Sequence, residues 1–78
     1  MNKNLCDFRL NDKIGKQLTE REYEVLKGVV MGKSNSEIAK ELNISVHTAK
    51  AHVCSILQKL AVEHRVQAAV KAVRQDLV

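Results

Sequence analysis

At 78 residues the chain is one domain whose core is marginal by size. Hydrophobic residues make up 45% of it, a globular proportion, but Phe8 and Tyr23 are its only aromatic residues, which argues against a surface of rings for stacking bases. The formal net charge of +4 is modest, and its distribution says more: five of the nine acids fall between Glu20 and Glu41, and none between Asn43 and Val62.

Residues 1–17 show no clean period. Leu5, Phe8, Leu10 and Ile14 are scattered among polar groups, so this stretch is expected to be an N-terminal arm or the end of a linker. A domain is expected over 18–78. Thr19 and Glu22 have the spacing of a capping box, with Leu18 and Tyr23 at the positions of a hydrophobic staple. Tyr23, Leu26, Val29 and Val30 recur at helical spacing to about Met31, and Gly32 suits the left-handed residue that ends a helix.

A second capping box, Ser34 with Glu37, opens a helix of about two turns whose apolar residues are Ile38, Ala39 and Leu42. Asn43 tolerates a left-handed backbone, Ile44 is expected to point inward, and Ser45 can cap the next helix. Two helices joined by so short a turn form a helix-turn-helix. In the third helix, Val46, Ala49, Val53, Ile56, Leu57 and Leu60 form a buried stripe. The opposite face carries His47, Thr48, Ala51, Ser55 and Gln58, flanked by Lys50 and Cys54. These groups are small or hydrogen-bonding. They let a helix press into a groove and read base edges there.

A fourth helix is expected from about Glu63 to Gln75. Val66, Ala69, Val70, Val73 and Leu77 read as its core stripe. Ala68 and Ala72 then lie outward, where small side chains permit close approach of another helix, although helix propensity alone also accounts for alanine.

The blocks "LTEREYEVL", "GKSNSEIAKELNIS", "HTAKAHVCSILQKL" and "VEHRVQAA" closely resemble the LuxR/GerE/FixJ-type helix-turn-helix domain, found in bacterial response regulators and quorum-sensing regulators. The resemblance runs from Leu18 to the C-terminus. It implies an all-α, four-helix domain with a short N-terminal arm, whose third helix enters the DNA major groove. It also implies a dimer through the fourth helix; the narrow Ala68 and Ala72 stripe is then the expected interface of a weak homodimer, and a two-fold pair of third helices calls for an inverted-repeat operator in double-stranded DNA. By matching position, base contacts fall to Lys50, Ala51 and Cys54, with Ser55 near. Phosphate contacts fall to Ser34, Asn35, Thr48 and Lys59. Arg21, Glu22 and Arg65 match structural positions, and RNA polymerase is a candidate further partner. Two residues depart from the family pattern: Ala49 stands where Val is usual, and Ala61 where Gly or another left-handed-tolerant residue is usual.

Other chemistries find little support. His47 and His52 have no second ligand at i+4, and no nucleophile triad, carboxylate pair or phosphate loop is visible, so neither an enzyme nor a cofactor or metal site is expected. Cys6 and Cys54 read as reduced thiols of a cytoplasmic protein, and no apolar run is long enough to span a membrane. The competing function is an interaction module that antagonises a full-length regulator by mixed dimerisation.

Overall fold

The first three helices begin where a hydroxyl side chain can accept one of the backbone N–H groups that a helix start leaves unbonded. A computed structural model describes residues 18–78 and places these helices at α1 (Glu20–Val30), α2 (Asn35–Leu42) and α3 (Val46–Leu60), followed by α4 (Arg65–Arg74). The arm expected over 1–17 lies outside the described residues. Thr19 and Ser34 complete their capping boxes with Glu22 and Glu37. Ser45 Oγ accepts the Thr48 N–H at 3.0 Å. A cap of this kind contributes roughly 1 kcal/mol. Helix α4 has no hydroxyl at its start; instead Gln67 Oε1 accepts the N–H of both Glu63 and His64, each at 2.9 Å.

All four helices end in the same way. A left-handed residue follows the last turn in each case: Gly32, Asn43, Ala61 and Asp76, with φ of 82°, 59°, 59° and 56°. Its N–H and the next N–H bond back to the helix in the paired pattern of a Schellman motif, as in Asn43 to Lys40 O (3.3 Å) and Ile44 to Ala39 O (2.9 Å). The residue after the turn comes back to the protein: Ile44, Val62 and Leu77 all pack against the core. The Asn43 turn is therefore as expected. Ala61 does adopt the conformation that its side chain resists, at a cost of roughly 1 kcal/mol.

The core is Val25, Leu26 and Val29 of α1, Ile38 and Ala39 of α2, Ala49, Val53, Ile56 and Leu60 of α3, and Ala68 and Ala72 of α4. Three expectations fail. Tyr23 is exposed, with the Lys27 ammonium over its ring at 5.4 Å, and Val25 takes the inward place. Val46, in the first turn of α3, is also exposed. The third failure is larger. Ala68 and Ala72 are 1% and 0% exposed, whereas Val66, Val70 and Val73 are 69%, 46% and 56% exposed. Helix α4 is turned the other way from the sequence expectation. It packs on both α1 and α3, and only methyl groups allow so close a fit. The two alanines belong to the chain's own core and are not open to a second copy.

Between α1 and α3 lies the one buried charge among the described residues. Glu22 is 6% exposed. Its Oε1 accepts from Lys59 Nζ at 2.7 Å and from the Thr19 N–H at 3.0 Å, and its Oε2 accepts from Ser55 Oγ at 2.6 Å. Burial acts to raise the pKa of this carboxyl. The bonds from Lys59, Ser55 and Thr19, with the Lys59 charge, outweigh burial and hold it below 4.5. Side-chain bonds fasten α4 as well. Lys71 Nζ donates to Leu60 O at the end of α3 (2.8 Å), and the Arg65 guanidinium donates to Asn35 Oδ1 (2.8 Å) and Lys33 O (2.9 Å) at the start of α2.

Two outcomes are expected from this packing. A Cβ on Gly28 would stand 2.7 Å from Ile38 Cγ1, and Ile38 is buried with little room to move. Gly28→Ala gains up to about 1 kcal/mol of helix propensity but incurs an overpacking cost of about 1–3 kcal/mol. A chemical-denaturation midpoint below wild type is the expected result. Glu22 has a folded-state pKa below its unfolded value, so its contribution is complete above about pH 4.5 and is lost as pH falls through the folded value. Thermal melts from about pH 6 down to about pH 3 should show wild type losing its margin over Glu22→Gln as acid is added. A margin that stays constant across that range would contradict the assignment.

Candidate nucleic-acid interface

Helix α3 presents the outward face that the sequence marks. Its 15 residues extend roughly 22 Å at the usual helical rise. Ala49, Val53, Ile56 and Leu60 hold it to the core, while His47, Lys50 and Ala51 are exposed at its N-terminal half. Lys50 makes no salt bridge with a described residue. No acid lies on α3 or in the turn before it. An exposed helix face with one uncompensated cation and a bare methyl has the shape and the charge to lie in a major groove about 12 Å wide.

Thr48 sits half-buried beneath this face. Its Oγ1 accepts from Ser45 Oγ at 2.9 Å, so its own hydroxyl proton is left to point at another acceptor. At the start of α2, Ser34 is exposed and its hydroxyl accepts the Glu37 N–H at 3.1 Å. Asn35 is half-buried. Since its Oδ1 accepts from Arg65, the amide is oriented with its NH2 group turned away from that guanidinium. A helix start of this kind offers backbone N–H groups and a positive dipole end to phosphate.

Three expected contacts are drawn elsewhere. Ser55 and Lys59 are both committed to Glu22 inside the protein. They lie on α3 at the flank between its core stripe and its outer face, and the buried carboxylate claims them from the inner side. Cys54 is half-buried and its sulfur is disulfide-bonded, where the sequence suggested a reduced thiol. A sulfur in that state has no S–H to donate to a base. Cys6, the chain's other cysteine, lies outside the described residues. Residue spacing carried no signal for the Ser55 and Lys59 bonds, because the acid that takes them is 33 and 37 residues away. Arg65, assigned a structural role, has one, and it also orients Asn35. Among the described residues no group of three His, Cys, Asp or Glu could hold a metal ion, and no helix is long and apolar enough to cross a membrane.

Residues 16–72 match the family described as bacterial regulatory proteins, luxR family. Over 61 residues, 78% of this chain, the sequence is 51% identical to the transcriptional regulatory protein LiaR of Bacillus subtilis strain 168. Over stretches of the same length it is 52% identical to the uncharacterized transcriptional regulatory protein YhcZ of that strain and 46% identical to the response regulator protein VraR of Staphylococcus aureus strain NCTC 8325. The matched part covers only 28–29% of these relatives. With the four helices, the short α2–α3 turn and a match across most of its length, the chain belongs to the LuxR family of bacterial regulatory proteins.

Proposed function

We propose that this chain is a DNA-binding domain acting in transcription regulation, which lays α3 in the major groove of an inverted-repeat operator as a dimer formed through α4. One observation carries the reading: α3 is free of acids and exposes His47, Lys50 and Ala51 where a solvated helix would carry long charged side chains. Lys50 and Ala51 meet the base edges. Thr48, Ser34 and Asn35 hold phosphates, together with the N–H groups that open α2. Relatives named as transcriptional and response regulators agree with this class of function.

The dimer surface in this reading is the outward stripe Val66, Val70 and Val73, at i, i+4 and i+7 on α4. Exposed valines at that spacing are what a paired helix covers. The stripe is narrow, so the dimer is weak in free solution and is completed on DNA, where one duplex holds both copies.

Two measurements test the proposal. If the dimer neutralises about 6–10 phosphates, its affinity for an inverted-repeat duplex falls by about 10³–10⁵ between about 50 and 200 mM salt. Within the same titration Lys50→Ala weakens binding by about 1–3 kcal/mol with helicity unchanged. A flat salt response with Lys50→Ala equal to wild type would sink the reading and favour the mixed-dimer module. For the dimer, Val70→Glu sets two like charges against each other. It should abolish cooperative binding to the two-site duplex and spare weak binding to a single site. Cooperativity at the wild-type level would remove α4 from the interface.

A further inference from the structure

One flank of the α3 reading face is held from inside the protein. On a wheel of 100° per residue, Ser55 and Lys59 lie roughly 40° apart, between the buried stripe and the outward Ala51. Lys50 and Leu57 occupy the other flank. The buried stripe is a poor rotational lock by itself. Ala49, at its N-terminal end, offers a single methyl group, and apolar contact has no preferred direction. Hydrogen bonds do have one and weaken steeply off axis. Here two short bonds, one turn apart on α3, converge on the two oxygens of one carboxylate. That carboxylate is in turn fixed at the first turn of α1 by the Thr19 N–H.

We propose that Glu22 is a positioning residue for DNA recognition: by gripping Ser55 and Lys59 it sets the rotation of α3 and so decides which side chains face the bases. The inference rests on the DNA-binding function proposed above. It has a second consequence. The Lys59 ammonium is compensated internally by Glu22, so it does not count among the cations that displace counterions from DNA.

The test is selection from a pool of randomised duplexes, followed by salt titration on the enriched sequence. It is run on the full chain at a temperature where each variant's melt shows it folded. Glu22→Gln keeps the shape of the side chain and removes its charge. Its preference for the wild-type sequence over random DNA should fall at least about tenfold, the worth of a good base contact, with the loss spread over several positions. Its salt slope is compared with wild type, because loss of the Glu22 carboxylate removes one of the partners that hold Lys59. Ser55→Ala removes one grip without a charge change, and should show the same spread at smaller size. A merely structural Glu22 would lower the melting temperature and leave sequence preference alone. The proposal is overturned if both variants enrich the wild-type sequence with wild-type preference, or if Ser55→Ala alters a single base position, which would make Ser55 a reader itself. Should Glu22→Gln not fold, Ser55→Ala alone decides between these outcomes. A wild-type chain that enriches no sequence overturns the DNA-binding function and this inference together, whereas a selective wild type with unaltered variants overturns this inference alone.

Discussion

A carboxylate can be kept charged away from water only if donors come to it. At Glu22 the donors are brought from 33 and 37 residues away along the chain, in addition to the cap three residues before. Burying a lone carboxylate is so unfavourable that the group would protonate or the packing would open. The approach of α3 to α1 is therefore constrained to the geometry in which Ser55 and Lys59 both reach. Apolar burial supplies the attraction between these helices, and the buried anion supplies the register. Once α3 is set against α1, α2 follows, because the Asn43 turn leaves it no freedom. Helix α4 closes the remaining apolar side.

What could be read from the sequence was what is decided locally. Caps and turns involve residues three to five apart, so Thr19, Ser34, Asn43 and Ser45 announce themselves by type and spacing. The core of α2 and most of α3 was legible for the same reason, since each has one apolar stripe. Helix α4 has two. Val66, Val70 and Val73 lie roughly 140° around the helix from Ala68 and Ala72. Ranking by hydrophobicity chooses the valines, and the actual neighbours choose the alanines. No single-helix pattern carries the distance of closest approach between α4 and α1. For Ser55 and Lys59 the limit is similar. Their position on the outer part of α3 is real, but an acid on another helix claims them. Lys50 and Ala51 stay exposed, since nothing else in the described fold reaches for them.

The same arrangement gives α4 an unusual standing. Its buried apolar contacts are the methyl groups of Ala68 and Ala72, with Ala69 and Leu77 partly buried beside them, and its polar fasteners are Arg65 and Lys71, which donate to backbone carbonyls of Lys33 and Leu60. Buried methyls contribute little per residue compared with leucine or phenylalanine. The larger side chains of α4, Val66, Val70 and Val73, gain nothing while they face water. In terms of linkage, whatever covers those valines binds the docked state of α4 and not the detached one, and so adds its binding free energy to the docking of the helix. Amide hydrogen exchange along α4 then becomes a gauge of occupancy on its outer face: protection there rises with coverage, while the amides of α1 in the core keep time with global unfolding.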